Sequence, residues 1–238
     1  MEMIKKYRYR SVQNAVYLSL RKNIMNLSLA PGTAISEKEM SLRYQVSRTP
    51  VRETFIHLAK EGLVEVIPQK ETLVSLIDFV RVEQEWFFRT NLEMAVIEPF
   101  MGKSSKNHLS TLEEVIAMQQ TAFEQNACVD FLNYDDDFHR AFFEVAGQEL
   151  SWEVMESMGG HYHRVRLLTL QIRDIAKDII KQHKELLIAL RKQDLNNTLA
   201  ILSLHLHKLT NEEKILRNEF PTYFVPKDKK DIFDIDFR

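Results

Sequence analysis

Residues 36–62 read SEKEMSLRYQVSRTPVRETFIHLAKEG, and two short helices follow from them. Ser36 stands three residues before Glu39, the spacing of a capping box, in which the hydroxyl takes the Glu39 N–H while the Glu39 carboxylate reaches back to the Ser36 N–H. A helix therefore starts just after Ser36, carries Met40 on its inner face and runs out at Tyr44-Gln45-Val46. Ser47 or Thr49 can cap a second helix, with Pro50 in its first turn, where a missing N–H costs little. Val51, Phe55, Leu58 and Ala59 share one face of it, and Gly62 ends it. Two short helices joined by a tight turn form a helix-turn-helix, whose second member can enter the major groove of DNA. Ser47, Arg48, Thr49 and Arg52 fall at its N-terminal end, the part that reaches base edges, and arginine is shaped to hold guanine bidentately. Beyond Gly62, residues 63–67 and 72–74 flank Pro68-Gln69-Lys70-Glu71 and read as a β-hairpin, the wing of a winged helix.

Charge divides the chain beside this motif. The whole of its 238 residues has a net charge of −2. Residues 1–75 nevertheless hold 12 Lys and Arg against 7 Asp and Glu, a net of +5, and residues 76–238 hold 20 against 27, a net of −7. A basic head on an acidic body implies that only the head meets a polyanion. The division expected is a head over 1–75, a body over 76–220 and a charged, aromatic tail over 221–238 that the pattern does not place. Between Pro68 and Pro221 the only proline is Pro99, and apolar residues recur at helical spacing, so the body reads as all-helical. Helices are expected over 76–101, 106–125, 127–145, 150–171, 173–193 and 195–218, and the fold class is mainly α.

Several function classes fall away. The longest unbroken apolar run, Leu186 to Leu190, is far too short to span a bilayer, which excludes a membrane partner. The first residues lack a secretory signal and Cys128 is the only cysteine, so a reducing cytoplasm is the expected location. The motifs CxxC, HExxH, GxGxxG, GxSxG and the P-loop are absent.

The body holds one constellation with chemistry in it. Asp135 and His139 are four apart, so on a helix they project about 40° from one another and can share a metal ion. Phe138, Phe142 and Phe143 surround His139 and turn it inward. His183 lies on the stripe of Ile179, Ile180, Leu186, Leu187 and Leu190, and His205 shares a face with Ile201, Leu202 and Leu209, whereas His207 falls on the polar side. Periodicity alone does not make three helices converge, and a lone inward histidine is commonly a hydrogen-bonded core residue. A set poor in sulfur admits Zn, Ni, Mn, Fe or Co without choosing among them.

The run Leu29-Ala30-Pro31-Gly32, then Ile35-Ser36-Glu37, residues 46–53 and residues 58–64 resembles the DNA-binding domain of the GntR family of bacterial transcriptional regulators over roughly residues 11–75. That resemblance implies DNA contacts at Lys38, Arg48 and Arg52, with Ser47 and Thr49 near phosphates. The family's wing usually turns at a glycine, which here corresponds to Glu71. A carboxylate there is repelled by phosphate, and Lys70 is the candidate to take over the contact. Asp135-x-x-x-His139, His183 within residues 182–190 and a histidine 22 residues later resemble the FCD effector domain of FadR-like members over roughly residues 80–218. By that likeness the body is a helical bundle holding a divalent metal through Asp135, His139, His183 and His205, and Arg89 helps bind a small carboxylate effector. Arg89 has an alternative as a surface pair with Glu93, worth little if exposed. His161, His163, Arg164 and Arg166 are open between a pocket wall and a solvated face, and Gly159-Gly160 before them breaks or kinks the helix.

The reading is a metabolite-responsive transcription factor that binds a palindromic operator as a homodimer through the body. A metal-dependent hydrolase leaves the winged helix without a use, and a metal-free regulator responsive to an acyl-thioester leaves the Asp and His set without one.

Overall fold

The computed structural model describes residues 2–68, 70–206 and 212–226. The head opens with a helix that the sequence reading did not assign, α1 (Glu2–Met25). Val16, Leu20 and Ile24, one turn apart each, bury one face of its C-terminal half against the reading motif. β1 (Ala34–Ile35), also unassigned from sequence, precedes α2 (Glu37–Tyr44) and α3 (Arg48–Lys60). Ser36 Oγ accepts the Glu39 N–H at 3.1 Å, the helix-capping half of the expected box. The tight turn is made by Gln45, which takes the left-handed conformation and donates its N–H to Leu42 and Ser41 carbonyls. Ser47 holds the N-cap position of α3, yet its hydroxyl makes no capping bond, so the cap expected from Ser47 or Thr49 is absent and the first N–H groups of α3 are left without a side-chain cap.

Gly62 ends α3 at φ +73°, a backbone that disfavours any side chain. The chain then forms β2 (Val64–Val66) and β3 (Thr72–Val74). The sheet order is β1-β3-β2 and both pairings are antiparallel, with Val66 opposite Thr72 and Ile35 opposite Thr72 on the other edge. Met40, Val51, Phe55, Leu58, Leu63 and Val74 close the head core.

The body is built of α4 (Phe79–Lys103), α5 (Lys106–Glu124), α6 (Cys128–Ala146), α7 (Glu149–Met158), α8 (Gly160–Thr169), α9 (Arg173–Arg191), α10 (Leu195–Leu206) and α11 (Glu213–Glu219). α4 carries Pro99 inside it and starts at the N-cap Asp78, whose carboxylate accepts from Val80 N at 2.9 Å. Two expected helices are divided. Gly159 separates α7 from α8, and Glu212 lies outside helix between α10 and α11. Phe100, Phe131, Phe138, Phe142, Leu186 and Leu202 are fully or almost fully buried at the centre, where α5 packs on α6 and α9 and α4 packs on α6 and α10.

A third apolar cluster sits at the join and includes Ile77, Tyr162, Val165, Leu168, Leu216 and Phe224. Part of the unplaced tail belongs here: Ile77 N donates to Tyr223 O at 2.8 Å and Val225 N donates to Ile77 O at 2.9 Å. Residues 227–238 lie outside the described residues.

Candidate functional site

α6 carries Asp135 and His139 one turn apart on its buried face, α9 supplies the fully buried His183, and α10 supplies His205. The three helices do converge. Each of the four residues offers one ligand atom, and these atoms all lie within 4.8 Å of one another. Every imidazole is also held from behind. His139 Nδ1 is 2.6 Å from Glu93 Oε2, His183 Nδ1 is 2.8 Å from Gln119 Oε1, and His205 Nδ1 is 3.1 Å from Gln182 Oε1. The amide oxygens of Gln119 and Gln182 accept from the Nδ1 of His183 and His205, which leaves the Nε2 of those two rings for the centre.

Those nitrogens need a partner. His139 Nε2 and His205 Nε2 stand 3.1 Å apart, and the buried His183 Nε2 has no hydrogen-bond partner although Asp135 Oδ1 is 3.5 Å away. Burial pushes His183 down to about 3 despite the attraction of Asp135, and burial with His183 and His139 nearby holds His205 well below its ordinary value. Burial would raise the Asp135 carboxyl, but Arg166 and the three histidines outweigh it and hold it well below the carboxylate range. Imidazole nitrogens converging on an ionised carboxylate fit a divalent cation.

Beside this cluster lies a crevice of about 530 Å³, walled by Leu18, Arg21, Lys22 and Met25 of α1 and by α4, α6, α7 and α8 of the body. Arg89 forms its floor. The pair with Glu93 exists, but it is buried rather than on the surface as the alternative had it. Burial alone would raise Glu93, yet Arg89 and His139 bring its carboxyl down to about 2. Arg166 donates to Asp135 Oδ2 at 2.5 Å and to Asp136 Oδ1 at 2.7 Å, and Arg89 Nη1 reaches the same Asp136 oxygen at 3.4 Å. The four α8 residues left open between pocket and solvent divide another way. His163 and Arg166 line the crevice, while His161 and Arg164 are buried and turn to the head. His161 Nδ1 accepts from Asp78 N at 3.1 Å, and Arg164 Nη1 donates to Ser75 O at 2.7 Å. A Cβ on Gly160 would stand 2.6 Å from Leu63 Cδ2, so glycine allows α8 to touch the head.

On the head, Lys38, Ser47, Arg48, Thr49, Arg52 and Lys70 are all exposed, as a DNA face requires. Arg52 meets Glu37 of α2 at 2.8 Å. Glu71 is exposed on the wing beside Lys70. His207, expected on the polar side of α10, lies outside the described residues.

Sequence reasoning missed Gln119, Gln182 and Asp136. Gln119 had a signal: it is the one polar member of the otherwise apolar face Leu112, Val115, Ile116 and Ala122 of α5. Asp136 had none, because its partners come from α4 and α8.

Residues 12–74 match the family described as bacterial regulatory proteins, gntR family, and residues 86–208 match the FCD domain. The HTH-type transcriptional repressor RspR of Escherichia coli K12 is 32% identical over 213 residues, covering 90% of this chain and 93% of that protein. Two solved structures share the fold. E. coli McbR/YncC superposes with a TM-score of 0.73 at 18% identity, over 88% of this chain and 98% of that one. A GntR transcriptional regulator from Rhodococcus sp. RHA1 gives 0.74 at 21%, over 87% and 98%.

Proposed function

We propose that this chain, which belongs to the GntR family of bacterial regulatory proteins and is a transcriptional regulator with an FCD domain, changes its grip on DNA when a small acidic metabolite binds beside a divalent metal in its body. One observation carries the metal: the Nδ1 atoms of His183 and His205 meet Gln119 and Gln182, that of His139 stands 2.6 Å from Glu93, and one ligand atom from each histidine and from Asp135 lies within 4.8 Å of the others. Asp135, His139, His183 and His205 would hold the ion, and Zn, Ni, Mn, Fe and Co all suit the donors. When bound, it supplies a Lewis-acidic point for a carboxylate.

Arg48 and Arg52 read base edges, Lys38 and Lys70 meet phosphate, and the uncapped N–H groups of α3 near Ser47 and Thr49 suit a phosphate oxygen. Arg89 and Arg166 bind the carboxylate of the effector. Tyr162, His163 and Arg166 on one side of α8 face the crevice, and Gly160, His161 and Arg164 hold the head and linker. A ligand that shifts α8 therefore shifts the head, with a coupling of about 1–3 kcal/mol. A homodimer places two heads on a palindromic operator, since one small head reads too few bases for useful specificity. The hydrolase reading falls with the family, and the Asp and His cluster speaks against a metal-free body.

The test uses native protein, its His183→Ala and His205→Ala variants, and an operator found by binding-site selection. Both variants should lose metal and ligand response while keeping operator binding. Retained metal in both, or operator binding lost together with the metal, overturns the reading.

A further inference from the structure

Two buried arginines side by side need anions, and one of theirs is a carboxylate at the edge of the crevice. Arg89 has Glu93 as a buried partner from its own helix, and Arg166 has Asp135. Both guanidiniums then reach a single oxygen of Asp136, which comes from a third helix. The Asp136 side chain keeps 19% of its exposure and borders the crevice, while those of Arg89 and Arg166 keep 6% and 10%. Both guanidiniums also lie over the Tyr162 ring, at 5.9 and 5.7 Å, a contact that does not depend on Asp136. Trp152 lines the same crevice, and its buried indole N–H has no hydrogen-bond partner among the described residues.

We propose that Asp136 is a built-in stand-in for the ligand's carboxylate: it occupies the Arg89 and Arg166 fork in the free protein and is exchanged for the carboxylate of an organic acid entering between α1 and the body. The inference rests on the reading that the body takes an acidic ligand, and adds the residue that sets how tightly it does so. Two guanidinium N–H donors converging on one point suit a carboxylate oxygen, and the crevice volume accommodates a small organic acid with apolar surface against Leu132, Met155 and Leu167. Because the far wall is α1, the acid would touch the head directly.

Competition from within the chain weakens binding by the share of molecules in which the fork is filled. Removing the Asp136 charge frees both arginines, so Asp136→Asn should bind succinate about ten- to hundredfold more tightly than the native protein. Calorimetry and Trp152 fluorescence on natively purified protein read this, with inorganic phosphate at matched ionic strength as the second probe. Asp136→Ser serves the same purpose if the Asn variant does not fold. A gain for succinate exceeding that for phosphate is the expected result. Native protein that binds succinate with variants no tighter overturns the stand-in role and leaves the acidic-ligand reading intact. A gain confined to phosphate overturns the carboxylate class. No binding of either anion by any of the three proteins overturns both readings.

Discussion

Gln119 joins two of the four cluster residues, donating to Asp135 Oδ1 at 3.0 Å and accepting from His183 Nδ1. It orients both without offering the centre a charge. Gln119→Leu keeps the volume and the apolar face of α5, so the expected loss is about 10- to 100-fold in zinc affinity with the fold retained, read by competition with a chromophoric chelator. On the head, Arg48→Ala and Arg52→Ala should each cost about 1–3 kcal/mol at the operator and relax base preference, whereas Lys38→Ala should weaken all sequences alike. Binding-site selection on the three variants measures this. The clustering of the four residues was legible in the sequence because helical spacing turns Asp135, His139, His183 and His205 inward and the resemblance brought them together. Of their supports only Gln119 left a signal, as the polar member of an apolar face, because Glu93 and Gln182 meet the rings only across helix packing.

Among the elements, α8 has two sides that face different domains. Burial, aided by Arg164 and Arg81, pushes His161 down to about 3 from an ordinary 6.5. A depressed histidine stabilises the folded state fully above pH 6.5, because only the unfolded chain takes up a proton below that value, and the benefit drains as pH falls toward 3. The melting temperature should therefore drop between pH 7 and about pH 5, and drop less in His161→Gln. An equal drop in both proteins contradicts a buried, neutral His161 as the source of the pH dependence. α8 itself was half legible: Gly159-Gly160 marked the break, but not that one side of the new helix grips Gly62, Ser75 and Asp78. α1 escaped although Val16, Leu20 and Ile24 form a buried stripe at one-turn spacing. α10 and α11 read as one helix because the spacing of Leu202, Leu206 and Leu216 carries an apolar pattern across Glu212.

For the whole molecule, the charge split along the sequence corresponds to two cores, one under the helix-turn-helix and one around the Asp and His cluster, joined by Ile77, Tyr162 and Phe224. The architecture was legible because each core has its own period and breakers. The strap formed by Tyr223 and Val225 on Ile77 was not, since a pairing between residues this far apart leaves no local pattern. Light scattering at micromolar concentration should give a dimer, and a monomer that stays single on DNA contradicts the two-headed reading. The most direct test of the account is the metal content of natively purified protein by elemental analysis. It predicts about one divalent transition metal per chain, lost in His183→Ala, as four convergent protein donors require. Native protein without metal that takes up none when supplied, or a His183→Ala variant that keeps it, contradicts the central claim.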